Sequence, residues 1–177
     1  MTHDDGYDIR TILGQMREEY WQALSEEEAE AKEVLECLVF TLGGERFCFE
    51  TQYASEVIRI PKLVRVPAVQ SLITGIFNLR GEITAAMDIR PMLGLPQPEI
   101  GGAGRILVVK STQFASGVLV EAALGVQGLC FDSFEPATGG GVRRQFSRGH
   151  FNTDDGTVML LDMEALLASP EIMVGEP

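Results

Sequence analysis

At 177 residues, with 45% hydrophobic and 23% charged side chains, the chain has the makings of one folded domain or of two small units sharing a core. No apolar run approaches the roughly 20 residues of a membrane span, and the acidic start MTHDDGYD lacks the cationic-then-apolar order of a secretory leader. Direct membrane insertion is therefore not expected, and the cytoplasm is the expected address.

The net charge of −12 is unevenly spread, because residues 1–36 hold eleven acids against three cations and so carry −8 of it. Phosphate backbones and anionic membrane surfaces recruit clustered Lys and Arg, so this balance argues against nucleic acid as a partner.

From the N-terminus, Ile9, Ile12, Leu13, Met16, Tyr20 and Leu24 recur at three- and four-residue steps, one face of an amphipathic helix with Asp8 as its N-cap. Ser25 and Glu28 then fit a capping box that opens a second, very acidic helix over 26–36. An apolar stripe of this kind has to be covered, either by the rest of the chain or by a partner.

At Leu38 the period changes to two. LVFTLGGERFCFE reads as a hairpin turning at Gly43-Gly44, EVIRI and KLVRV as half-buried strands separated by Pro61, and GIFNL with EITAAMDI as a second hairpin. QPEIGGAG, residues 97–104, is the best internal linker. RILVVKS, GVLVEAA, GVQGLCFDS, FSRGHF and TVMLLDM follow as further strands, and DMEALLAS as a short helix starting near Asp162 or Met163. About ten short strands with little helix between them indicate a mainly β fold of small barrels, divided by the linker into two groups of similar size. No close sequence repeat relates the two. The chain thus divides into an acidic helical extension (1–36), a β domain (37–168) and a loose tail (169–177).

Catalytic constellations fail by absence. No GxSxG elbow presents a serine, and His3 and His150 are the only histidines, without a second ligand at metal-site spacing. Cys37, Cys48 and Cys130 are odd in number, flanked by apolar residues and without CxxC spacing, which reads as reduced packing thiols. Glu56, Glu82, Asp88 and Asp162 are acids of unknown mutual placement, and GGAG and TGGG do not fit a phosphate loop. What remains is surface. If Arg80-Gly81-Glu82 is a three-residue turn, Phe77, Leu79, Ile83, Ala85, Met87 and Ile89 share one face, and Asn78, Thr84 and Asp88 the other. Arg80 at the rim is either an ordinary turn residue in a local ion pair or a contact for another protein.

The stretches FTLGGERFCFE, ASEVIRIPKLVRVPA and GIFNLRGEITAAMDIRPMLGLP, followed by RILVVKS, GVLVEAALGV and FSRGHFNTDDGTVMLLDMEALL, resemble in order the CheW-like family of chemotaxis coupling proteins. The resemblance covers about residues 37–168. It implies two five-stranded SH3-like barrels around a shared core, here with an N-terminal helical extension. It also implies a non-catalytic, cofactor-free adaptor between the cytoplasmic tip of a methyl-accepting chemoreceptor and the regulatory domain of a CheA-type histidine kinase. Glu56 and Arg80 match the family's charged hallmarks and would form a cross-strand ion pair on the receptor-facing surface. Asn78 joins them, and Val57, Ile58, Val118 and Val120 would line an apolar groove for a helix. The family usually has proline at Ala85 and aspartate at Glu121. The long N-terminal extension suggests, as an alternative, an array scaffold of a specialised surface-sensing, gliding or pilus system whose helices bind or occlude a partner. A small-ligand or thiol-dependent barrel using Cys48, Cys130 or His150 is a third reading.

Overall fold

The computed structural model describes residues 9–29, 32–67, 71–112 and 114–172. They form two compact units, one ending at Glu33 and the other beginning at Val34.

The first unit holds a single helix, α1 (Ile9–Ala29), that runs through Ser25 without a break. The expected second helix over 26–36 does not form. Glu26, Glu27, Glu28 and Ala29 are good helix formers that simply extend α1, and a Ser-x-x-Glu spacing interrupts nothing unless the chain turns there. Val34 is already in strand β1 (Val34–Leu42), because Val34 and Leu35 pair with Cys130 and Leu129 of β8 (Ala122–Cys130). Tertiary pairing overrides local helical preference here. The extension therefore ends before Val34 rather than at 36. The expected N-cap, Asp8, lies outside the described residues.

The second unit is mainly β, with eleven strands among its described residues, in a six-stranded and a five-stranded sheet. The six-stranded sheet has the order β8-β1-β2-β11-β10-β9, adding β2 (Glu45–Glu50), β9 (Phe134–Pro136), β10 (Ser147–Thr153) and β11 (Gly156–Leu161). The five-stranded sheet has the order β3-β6-β7-β5-β4, from β3 (Ala54–Arg59), β4 (Ile73–Leu79), β5 (Glu82–Met87), β6 (Arg105–Lys110) and β7 (Ala115–Val120). Residues 97–104 are not a divider between two halves. They join β5 to β6 inside one sheet, while the first two strands of the domain pair with the last four. Two parallel contacts make this exchange possible, β2 beside β11 and β5 beside β7. One core cluster spans the seam, with Phe40, Phe47 and Leu161 from the first sheet and Leu107, Val118 and Val120 from the second.

A weak repeat is visible once the pairing is known. The hairpins β4–β5 and β10–β11 have the same register and the same skip in it, between Ile73 and Gly75 and between Ser147 and Gly149. Gly75, Phe77, Asn78 and Asp88 of the first recur as Gly149, Phe151, Asn152 and Asp162 of the second. The glycines are required by close approach. A Cβ on Gly75 would lie 2.9 Å from the Val64 carbonyl oxygen, and one on Gly149 2.3 Å from that of Glu135.

The C-terminal helix α3 (Met163–Leu167) is capped by Asp162, whose Oδ1 accepts the Ala165 N–H at 3.0 Å. The chain beyond it is not a loose tail from residue 169. Ser169 and Ile172 are buried, and Ile172 belongs to the shared core. Residues 173–177 lie outside the described residues.

Candidate functional site

The hairpin β4–β5 turns tighter than the sequence suggested. Leu79 pairs with Glu82, so the loop is the two residues Arg80-Gly81, and Asn78 faces Ile83 while Phe77 faces Thr84. Since cross-strand partners share a face, this one-residue difference in register exchanges the two faces of β5. Phe77, Thr84 and Ala86 point inward and are buried, whereas Ile83 is 77% exposed on the outer face beside Asn78. The expectation that Phe77, Leu79 and Ile83 pack together is therefore wrong.

Both loop residues have positive φ, 52° at Arg80 and 92° at Gly81. That is the twist-matched two-residue hairpin turn, which favours Asn, Asp or Gly at its first position. Arg80 is the only non-glycine with positive φ among the described residues. The left-handed conformation costs an arginine about 1–2 kcal/mol. Asn78 supports the turn, its Oδ1 accepting the Gly81 N–H at 2.8 Å.

Arg80 Nη2 donates to Glu56 Oε2 at 2.9 Å, and the two side chains are 80% and 24% exposed. Glu56 lies on β3, one edge of the five-stranded sheet, and Arg80 follows β4, the other edge. The ion pair therefore spans the place where the sheet curls back on itself. A short backbone bridge makes the same closure, Val64 and Ile76 exchanging hydrogen bonds of 2.9 and 2.8 Å.

The remaining candidates separate. Along β3, Glu56 and Ile58 point inward and Val57 points out, so Val57 and Ile58 cannot line one face. Ile58 packs on the inner cluster of Phe77, Ile106 and Leu119. Val118 and Val120 are in the shared core, at 1% and 0% exposure, and offer nothing to a bound helix. Strand β7 lies between β6 and β5 and is covered on both faces, which is why its apolar run does not alternate. Arg80, Glu56 and Asn78 thus stay together at the hairpin tip, whereas Val57, though exposed, lies on the other face of β3 from Glu56. The surface gains two exposed apolar residues that the sequence did not single out, Ile83 and Val64, the second 56% exposed. A correct turn length would have revealed Ile83. On the edge strand β8, Leu124 and Val126 are also exposed.

A second charged group lies at the other end of β5 from this turn. Arg90 is buried and donates through Nε and Nη2 to the two carboxylate oxygens of Asp88, at 2.9 and 2.8 Å. Its Nη1 reaches the Pro98 carbonyl at 2.8 Å and Glu121 Oε1 at 3.3 Å. Glu121 in turn accepts the N–H groups of Gly43 and Gly44, at 2.8 and 3.2 Å. The end of β7 in one sheet is thereby tied to the β1–β2 turn of the other through Glu121. Burial pushes the Asp88 carboxyl up, but hydrogen bonds from Arg90 and Gln97 outweigh it and hold Asp88 below the usual carboxylate range. Arg90 is raised by the same pairing.

Two of the three thiols are shut away from solvent. Cys37 and Cys48 are fully buried in one cluster, and the hydrogen bond to Cys37 together with burial pushes the Cys48 thiol up. All three cysteines are free. His150 sits 3.5 Å from Glu135, and among the described residues no three His, Cys, Asp or Glu side chains converge to hold a metal ion. No helix among the described residues is long and apolar enough to cross a membrane.

Comparison with known proteins agrees with this architecture. The family model described as a CheW-like domain matches residues 36–171. "Chemotaxis protein CheW" of Bacillus subtilis is 32% identical over 95 residues, which are 54% of this chain and 61% of that protein. "Protein PilI" of Pseudomonas aeruginosa is 28% identical over 54% of this chain and 53% of its own length. The chain thus matches little more than half the length of these two relatives. The crystal structure of the scaffolding protein TtCheW from Thermoanaerobacter tengcongensis superposes with a TM-score of 0.70 at 24% identity, covering 78% of this chain and 96% of that one. With the family model matching most of the second unit, the chain belongs to the CheW-like domain family.

Proposed function

We propose that this protein is a non-catalytic cytoplasmic adaptor that couples methyl-accepting chemoreceptors to the regulatory domain of a CheA-type histidine kinase. The exposed surface around Arg80 and Glu56, with Asn78 and Ile83, is its receptor-coupling face. The observation that carries this reading is the cost of Arg80. An ion pair this exposed stabilises by at most about 1 kcal/mol, no more than the left-handed backbone costs the arginine. Stability alone gives no reason for arginine at that position, and strained residues of this kind point to function.

The test is kinase activity in receptor-containing membranes, with and without the protein. Addition should recruit the kinase and change its activity, and Arg80→Glu should reduce both by about tenfold or more while leaving the thermal unfolding transition in place. An unchanged kinase on addition of the folded wild-type chain would sink the adaptor reading. A variant that simply unfolds would reduce Arg80 to a structural residue.

A second reading, an array scaffold whose N-terminal helix binds or occludes a partner, is favoured by α1 itself. Leu13, Met16 and Tyr20 lie along it at three- and four-residue steps and are each about 60% exposed. Deleting residues 1–33 should then change kinase recruitment.

A further inference from the structure

We infer that the outer side of β10–β11 is the docking trough for the acidic N-terminal helix of a second copy of this chain. The inference is independent of the coupling role of Arg80.

Two adjoining depressions, of about 440 and 370 Å³, share Arg143, His150 and Met159, so they form one elongated trough. Arg144 lines one end and Arg46 the other. In a chain of net charge −12, this is a local concentration of cations. Some are neutralised. Arg143 is clamped bidentately by Glu45 at 2.9 and 3.0 Å and Arg148 pairs with Glu50, while Glu135, 3.5 Å from the His150 ring, is a second acid of the lining. The two end cations meet only neutral oxygens, Arg46 the hydroxyl of Thr153 at 3.5 Å and Arg144 the carbonyl of Gly139. The three arginines of the lining stand against Glu45 and Glu135, which leaves one net positive charge with Arg46 and Arg144 at the two ends, the apolar Met159 between them and the exposed Val142 beside Arg143.

The chain carries the complement of this surface. Helix α1 holds five acids, Glu18, Glu19, Glu26, Glu27 and Glu28, against Arg10 and Arg17, and it carries the exposed Leu13, Met16 and Tyr20. That is an amphipathic acidic helix with apolar positions at three- and four-residue steps, the form that enters a groove through spaced anchors. Side-by-side pairing of two such helices would set like charges together, which disfavours a helix-to-helix dimer. Helix to trough joins opposite charges instead. Each copy has one helix and one trough, so the same contact serves a reciprocal exchange between two copies or a head-to-tail repeat, and both raise the mass with concentration.

The experiment is sedimentation velocity of the full-length chain over a wide concentration range at low and high salt. The average mass should rise with concentration, and the rise should weaken with added salt. The pair Arg46→Glu/Arg144→Glu should weaken association by about tenfold or more, as should Glu18→Lys/Glu19→Lys. An equimolar mixture of the two reversed variants should associate again, and Arg144→Lys alone should stay near wild type. Far-ultraviolet circular dichroism checks that each variant is folded, as expected for changes at solvent-facing sites. A monomer at every concentration overturns the proposal, which includes the case of a helix docked within its own chain. So does association that survives both reversals or deletion of residues 1–33, or a mixture of folded reversed variants that stays monomeric.

Discussion

Arg80 and Arg90 belong to the same hairpin and its exit, and they solve opposite problems. Arg90 is buried, with its guanidinium hydrogen bonds divided among Asp88, Glu121 and the Pro98 carbonyl. Arg80 stands in solvent on a strained turn and holds one carboxylate oxygen. A charge inside a protein is tolerable only when fully paired, so Arg90 fixes how the two sheets meet. A charge outside is screened and worth little to the fold, so its identity is open to selection for contact. The difference separates the arginine that holds the sheets together from the arginine available to a partner.

The largest test of that contrast is Arg90→Ala. It leaves the Asp88 carboxylate buried without its partner, and such half-removed pairs cost about 3–5 kcal/mol. Urea unfolding should show a loss of that size. A loss below about 1 kcal/mol would mean that the network is no more structural than the surface pair. Glu121→Gln should come next, at about 1–2 kcal/mol, because the amide oxygen can still accept from Gly43 or Gly44 while the charge on Arg90 loses one counter-ion.

Acid titration probes the same network from the other side. Asp88 is held below its unfolded value of about 4, so it adds stability above that pH and loses it as pH falls through the unfolded value toward the folded one. Unfolding free energy should therefore drop below about pH 4, and part of that drop should disappear in Asp88→Asn. A variant with the same acid limb as wild type would show that other carboxylates govern it.

Much of the fold was legible because period-two patterning marks strands wherever one face is wet. It failed where neighbours in space, rather than in sequence, decide. Val34 is a strand residue only because Cys130 lies beside it, and the exchange of β1–β2 with β6–β7 between the sheets leaves no local trace. The register of β5 was ambiguous because Ile83-Thr84-Ala85-Ala86-Met87 barely alternates, and an arginine in the left-handed position hides a two-residue turn. Val118 and Val120 carried a usable signal, since an unbroken apolar run marks a strand covered on both sides. The Asp88–Arg90 pair had one as well, two charges inside the apolar run MDIRPML. Glu56 and Arg80 were placed correctly as partners by resemblance, but the backbone strain that gives Arg80 its interest is visible only in three dimensions.

The smallest expected effect on stability is also the sharpest test of the contrast. Arg80→Asn places at the first turn position a residue that tolerates positive φ, recovering much of the arginine's 1–2 kcal/mol backbone cost. It also gives up the exposed pair with Glu56, worth at most about 1 kcal/mol. The two changes oppose each other, so the unfolding midpoint should stay near wild type or rise slightly, within about 1 kcal/mol. Removing the guanidinium should nevertheless reduce kinase control in receptor membranes as much as Arg80→Glu does. If Arg80→Asn couples normally, the arginine is not a contact residue, and the charge reversal acts only through repulsion of Glu56. If it unfolds, the turn depends on the ion pair, and Arg80 belongs with Arg90 among the residues that hold the sheets.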